Sequence, residues 1–480
     1  MLYHARKYSD LIPKNPFMPV HTIQAGPGLK IDQETMMRKS TRLPLMILAS
    51  CWLAHRQDAQ GMPVLDPAVV EQAIAWRHSI HQHPELSNRE VHTAQLVATA
   101  LTQMGYAVQS GVGHTGVVAI LEGGKPGPIV AARADMDALP ITEQTDLPFR
   151  SMVKTTYLGQ EVGVTHACGH DIHTSVLLGV AAVLARQRQS LPGTVKLIFQ
   201  GAEEGPPPGE RGGAELMREQ GALDHPRPQA IFALHSFPDL PVGEVGYSVG
   251  PAFAASDQFT LTVKGRPAHG AFPQLAKDPI VMAAAIVSSW QSIVARNVDP
   301  QDAAVLTVGM IRGGTRYNII PETVELQGTV RTLKAGVQAL MEQRMREMAA
   351  GLTQAYGGTF TFDYQRNNPA TINDPTLARW AEKSLVEAVG TQHVHELPPT
   401  MGAEDFAYFA QAIPGFYFRL GVHKPGTKTG GLHTPTFRGD DSAIEVGIRT
   451  MGGLLLSYLH TKPATGQPSA QIRGFPGNPG

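Results

Sequence analysis

The segment His166-Ala167-Cys168-Gly169-His170-Asp171-Ile172-His173 constrains this chain more than any other stretch. It packs three imidazoles, a thiol and a carboxylate into eight residues. A folded core accepts such a cluster only when the groups are hydrogen-bonded, coordinate something or do chemistry, because a buried polar group without a partner costs roughly 2–7 kcal/mol. The only other cysteine is Cys51, so a disulfide framework is excluded. Cys168-Gly169-His170 sets a thiol and an imidazole one glycine apart, and both are good ligands for zinc and related metals.

A chain of 480 residues is too long for one core, which predicts two domains or one large domain with an insertion. Its 40 basic and 41 acidic residues balance, and no basic stripe marks a nucleic-acid surface. Residues 1–35 lack an apolar period and read as a disordered start. The basic run Met36-Met37-Arg38-Lys39-Ser40-Thr41-Arg42 then precedes the short apolar run from Leu43 to Cys51. That order matches a secretory signal peptide, and the run is too short to span a bilayer. Leu48-Ala49-Ser50-Cys51 resembles a bacterial lipoprotein cleavage box with Cys51 as the lipidated residue; a cut after Ala54 or Ala59 would discard Cys51. Both readings predict export, to the periplasm or to a lipid anchor at a bacterial envelope, with the true start at Met36 or Met37. Residues 462–480 are rich in Pro, Gly, Ser and Gln and read as a disordered tail.

The rest divides by pattern. Between residues 64 and 255, helices predicted over Pro67–His83, Glu90–Met104 and His173–Arg188 alternate with short, continuously apolar runs. Val117–Leu121, Ile129–Ala132, Val195–Gln200 and Ile231–His235 read as buried strands of an α/β sheet. The pattern changes at Ser256. Phe259–Val263, Val305–Gly309 and Thr323–Val330 alternate apolar with polar, and with helices at Ile280–Ala295 and Gln338–Tyr356 and a strand at Thr359–Phe362 they form a β-α-β-β-α-β unit over residues 256–366. The first style resumes over 367–461. The expected architecture is an α/β catalytic domain with a mixed sheet flanked by helices, interrupted by an α+β (ferredoxin-like) lid or dimerisation domain.

Candidate ligands fall at the ends of these strands. Glu203 and Glu204 follow one buried strand, His235 ends the next, and His433 sits in the loop Leu432-His433-Thr434-Pro435. Singly, each has an ordinary explanation, since a lone histidine is usually structural and a glutamate pair is usually solvated. Together with Cys168 and His170 they converge on one side of a predicted sheet, which favours a metal site.

With these residues in view, Arg133–Pro140, His166–His173, Phe199–Gly205, Leu234–Gly243, Met401–Phe406 and Leu432–Asp440 resemble the dinuclear metalloamidohydrolases of aminoacylase, hippurate hydrolase and auxin-amino acid conjugate hydrolase type. The resemblance runs from about Leu65 to Leu459. It implies metal ligands at Cys168, His170, Glu204, His235 and His433, holding two divalent ions (Zn, Mn, Co or Ni). It implies Glu203 as general base toward a metal-acidified water, and as donor of the proton to the leaving amine. His269 in Gly265-Arg266-Pro267-Ala268-His269-Gly270 matches a lid histidine that reaches a partner subunit's site as oxyanion donor, so a homodimer is implied. Asn318 and Arg331 match positions that bind the substrate's carboxylate, and Asp135, Asp137 and Asp171 match residues that orient ligands, as do His166 and His173. One departure is Gly201, where the family often has Pro; another is the longer loop Gly205-Pro206-Pro207-Pro208-Gly209-Glu210-Arg211-Gly212.

The expected activity is metal-dependent hydrolysis of N-acyl amino acids. A dipeptidase, carboxypeptidase or N-acetyl-amino acid deacetylase would use the same chemistry. Two readings differ in class: a non-catalytic binding protein, which would be expected to lose ligands, and a cysteine hydrolase using Cys168 with His170, which would survive chelation.

Overall fold

In the computed structural model, residues 64–427 and 429–461 are described. The expected signal peptide, Cys51 and the tail at 462–480 lie outside them. An eight-stranded mixed sheet organises the larger part, and its four central strands are mutually parallel: Pro192–Gln200, Lys125–Asp135, Ala230–Pro241 and Gly415–His423. The antiparallel pair Ala107–Val112 and Gly116–Glu122 flanks one side. The short strands Val245–Tyr247 and Val394–Glu396 flank the other.

The continuous apolar runs have a direct cause. Both faces of these strands are covered, so consecutive residues must all be buried. Val130, Ala132, Val195, Leu197 and Phe232 face one core with the helices Pro67–Gln82, His170–Arg186 and Ser442–Thr461. Ala131, Ile198, Ile231 and Ala233 face a second core with Met217 and Phe406.

Residues 255–368 build a separate four-stranded antiparallel sheet, in the order Ala304–Gly313, Thr323–Thr332, Ala255–Lys264, Thr359–Asn368. Helices Pro279–Arg296 and Ala335–Ala355 cover one face, giving a ferredoxin-like unit with its own core around Phe259, Trp290, Leu326 and Met341. Only one face is dry, hence the alternating burial along Ala255–Lys264.

Strands such as Lys125–Asp135 and Thr359–Asn368 run longer than expected, and two further boundary differences position the site. The helix expected from His173 begins at His170, because Gly169 at φ +88° takes the left-handed turn that starts it. The strand expected to end at His235 continues to Pro241. Its pairing with Lys125–Asp135 stops at Ala233, while its pairing with Gly415–His423 continues past His235. His235 is thus strand on one side and open on the other.

Candidate metal centre

The parallel strands end together, and their ends supply the site, as open α/β sheets commonly do. Asp135 closes one strand and pairs in register with Gln200, the last residue of its neighbour. Asp137 follows the first strand and Glu203 and Glu204 follow the second. Gly169 brings Cys168 and His170 against this edge. A Cβ on Gly169 would sit 2.1 Å from Ser236 Oγ, so the close approach requires glycine.

The structure brings Cys168, His170, Glu203, Glu204, His235 and His433 into one cluster. Donor atoms of Cys168, His170 and His235 lie within 4.8 Å of one another, as do those of Cys168, Glu204 and His433. Cys168 belongs to both groups. His433 Nε2 is 3.0 Å from Glu204 Oε1, and His433 adopts a left-handed φ of +59°.

Partners assign the histidine tautomers. His170 Nδ1 donates to the Asp137 carbonyl at 2.8 Å, and His235 Nδ1 donates to the Ser236 carbonyl at 2.7 Å. Both Nε2 atoms are thereby turned toward the donor cluster, His235 Nε2 lying 3.3 Å from Cys168 Sγ, which is how outer groups orient imidazole ligands. Asp137 also accepts from Ser87 Oγ and from the Glu204 amide. His173 spans Asp135 Oδ1, at 2.6 Å, and the Ser236 amide, at 2.7 Å.

Asp171, expected to orient a ligand, does something else. Its Oδ2 accepts from Arg77 Nε at 3.1 Å and His81 Nδ1 at 3.0 Å, and Arg77 continues to Gly439 O and Asp441. It ties the start of the ligand-bearing helix to a neighbouring helix and to the loop after His433. His166 is buried with neither ring nitrogen hydrogen-bonded among the described residues, and burial pushes its pKa down to about 3. The structure gives no account of a role for it.

Three observations fit divalent cations. Buried His170 Nε2 has no hydrogen-bond partner among the described residues. Carboxylates from Asp135, Asp137, Glu203, Glu204, Glu404 and Asp405 crowd the region, a concentration of negative charge that calls for cations. The donor set of thiol, imidazoles and carboxylate is that of zinc and its neighbours in the transition series. If these donors hold ions, Cys168→Ala should lower metal content well below wild type by elemental analysis. Full occupancy in that variant would remove Cys168 from the ligand set.

The protein's own groups disfavour the thiolate form of Cys168. Burial, then the charges of Glu204, Glu203 and Asp135, push its pKa far above the ordinary value. The imidazole at hydrogen-bonding distance is His235, at 3.3 Å, which burial and then His173 push toward the neutral form. A reactive cysteine needs an electropositive setting that stabilises thiolate; only a bound cation would supply one.

Beneath Glu203 lies a network that carried no assigned role in the sequence. Fully buried Arg133 reaches Asp135 Oδ2 (2.7 Å), Glu404 Oε1 (3.0 Å), Asp405 Oδ1 (3.1 Å) and Gln200 Oε1 (2.8 Å). Tyr417 donates to Glu404, and the Asp405 amide lies 3.5 Å from Glu203 Oε1. An arginine inside the apolar run Ile129–Ala134 was the available signal.

His269, Asn318 and Arg331 stand in the ferredoxin-like unit. Among the described residues, none forms a hydrogen bond or ion pair with the cluster. His269 is exposed and Asn318 half-buried. His269 lies in a two-residue ladder, Ala268↔Ile320 and His269↔Ile319, whose second strand directly follows Asn318.

Comparison with known proteins agrees with this geometry. Residues 131–457 match the description "Peptidase family M20/M25/M40". An N-acetylcysteine deacetylase of Bacillus subtilis (strain 168) is 37% identical over 82% of this chain and 99% of its own length. IAA-amino acid hydrolase ILR1-like 2 of Arabidopsis thaliana is 34% identical over 88% and 93%. A solved dinuclear metal-binding peptidase of the M20 family from Bacillus subtilis superposes with a TM-score of 0.69 at 35% identity, over 83% of this chain and all of that one. The fold, the convergent donor atoms and these matches together place the chain in peptidase family M20/M25/M40, as a metal-dependent amidohydrolase.

Proposed function

We propose that the chain hydrolyses the amide bond of N-acyl amino acids, with Glu203 as general base and Cys168, His170, Glu204, His235 and His433 holding two divalent ions. The observation that carries this is the position of Glu203 beside the donor cluster. Its Oε2 is 3.9 Å from His170 Nε2, and its carboxylate is largely shielded from water. Burial, then the charges of Glu404, Glu204 and Asp405, raise its pKa above the ordinary carboxylate range, the direction that strengthens it as a proton acceptor once bound cations hold it ionised.

Bound ions would supply Lewis acidity and lower the pKa of an attacking water. Glu203 would accept the proton of that water as the amide carbon is attacked. It would then pass the proton to the leaving nitrogen. Asp137 keeps His170 Nε2 aimed at the cluster, and Asp135 holds His173, whose Nε2 accepts from the Ser236 amide beside His235.

We assign oxyanion stabilisation to His269 of a second copy, and recognition of the substrate carboxylate to Asn318 and Arg331. The ladder that joins His269 to Ile319, with the Gly270 amide donating to Asn318 O at 2.8 Å, supports a loop that presents both residues together. A planar guanidinium suits a carboxylate.

A panel of N-acetyl, N-benzoyl and dipeptide substrates, with protein reconstituted in turn with zinc, manganese, cobalt and nickel, tests the reading. N-acyl amino acids should turn over fastest; faster dipeptide cleavage would replace it with a dipeptidase or carboxypeptidase. On the best substrate, His269→Ala should lower kcat by about 10²–10³-fold with KM nearly unchanged. An unchanged kcat would remove the oxyanion role.

A further inference from the structure

The turn Gly201-Ala202 decides where Glu203 and Glu204 point, and nothing in the chemistry above explains what holds it. Ala202 is buried and left-handed, at φ +55°. A residue with a Cβ keeps that conformation only when its surroundings over-determine it. One group does most of this. Buried Glu90, just before the helix Val91–Gln103, accepts from the Ala202 amide through Oε1 at 2.8 Å. The same oxygen accepts from the Asn88 amide at 3.1 Å, and Thr115 Oγ1 donates to Oε2 at 2.6 Å.

Gly201 fits this arrangement. A Cβ there would meet Thr115 Oγ1 at 2.3 Å and the two Glu90 oxygens at 3.0 and 3.1 Å. The space beside the turn is thus filled by Thr115 and Glu90. The loop that carries Glu90 also meets the site at a second point, where Ser87 Oγ donates to Asp137 Oδ2 at 2.8 Å. It meets the long loop after Glu204 at a third: Asn88 Nδ2 and Arg89 both reach Glu210.

We propose that Glu90 is a positioning residue: its carboxylate, braced by Thr115, grips the Ala202 amide and so aims Glu203 and Glu204 into the donor cluster. This rests on the assignment of Glu203 as base and Glu204 as ligand. Glu90 itself touches neither substrate nor any proposed ligand. Its effect runs through one backbone amide, so geometry rather than charge is the operative property.

That distinction sets the test. Glu90→Ala should lower kcat by about 10- to 100-fold, as a sub-ångström to ångström misplacement of reacting groups does, with KM changed less. It should also weaken zinc retention during dialysis, read by elemental analysis without any substrate. Glu90→Gln keeps an acceptor oxygen for the Ala202 amide and should restore kcat to within about threefold of wild type. A Glu90→Gln variant as impaired as Glu90→Ala would overturn the proposal, as would wild-type kcat and metal retention in Glu90→Ala. Should Glu90→Ala not fold, Thr115→Val removes the brace alone; a several-fold fall in kcat supports the proposal and an unchanged rate overturns it. Glu203→Gln is run alongside: if it stays active, the base assignment fails, whereas an inactive Glu203→Gln beside a wild-type Glu90→Ala condemns the clamp only.

Discussion

Glu203→Gln is expected to lower kcat by about 10²–10⁴-fold, the contribution general-base catalysis typically makes, while metal content and circular dichroism stay at wild-type values. The change is nearly isosteric, so packing against the Asp405 amide survives. Burial and the neighbouring carboxylates Glu404, Glu204 and Asp405 favour a neutral group at this position, so a neutral amide should not harm folding. What is lost is a group able to take and return a proton next to the donor cluster. Metal analysis and single-turnover kinetics on the same sample separate the outcomes. Full turnover with full metal would rule out Glu203 as the base, and lost metal would instead make it a ligand.

Arg133→Met should destabilise the fold by about 3–5 kcal/mol, the usual cost of leaving buried charge uncompensated. Methionine matches the length of the arginine stem but leaves Asp135, Glu404 and Asp405 without their shared cation. Burial already raises the Asp405 pKa to about 7 against the pull of Arg133. Without the guanidinium, carboxyl groups there should take up protons on folding. The loss of stability should therefore grow as pH rises, because a carboxyl whose folded pKa exceeds its unfolded value is penalised at higher pH. Urea denaturation of metal-free protein at two pH values measures both effects. A change below about 1 kcal/mol at each pH would show that the network is not held together by this charge.

The sequence made the donor set legible because ligand chemistry is residue-specific. Cys168, His170, Glu203, Glu204, His235 and His433 were readable from residue type and from their places at predicted strand ends, and the structure brings all six together. The ferredoxin-like unit was readable too, since a sheet wet on one face must alternate and one buried on both faces must not. Arg133, Glu404 and Asp405 were harder. Glu404 and Asp405 lie 271 and 272 positions from Arg133 along the chain, and no local pattern announces that they share one buried ion-pair network. For Asp171 it was the partners that stayed hidden. Its nearness in sequence to His170 hid a helix start that turns its carboxylate toward Arg77 and His81.

The chain's local patterns therefore determined its fold class, and the side chains of a cluster able to ligate metal, because period and residue type are local properties. The tertiary structure alone decided which oxygens and nitrogens face inward. It set the tautomers of His170 and His235 through backbone carbonyls, the left-handed turn at Ala202 through Glu90, and the charge balance under Glu203 through Arg133. The His170–Asp137 and Ala202–Glu90 contacts, and the pairing of Arg133 with Glu404 and Asp405, join segments distant in sequence that meet only when the sheet's parallel strands are in register; the His235 contact is with the carbonyl of the next residue and depends on the local course of the strand.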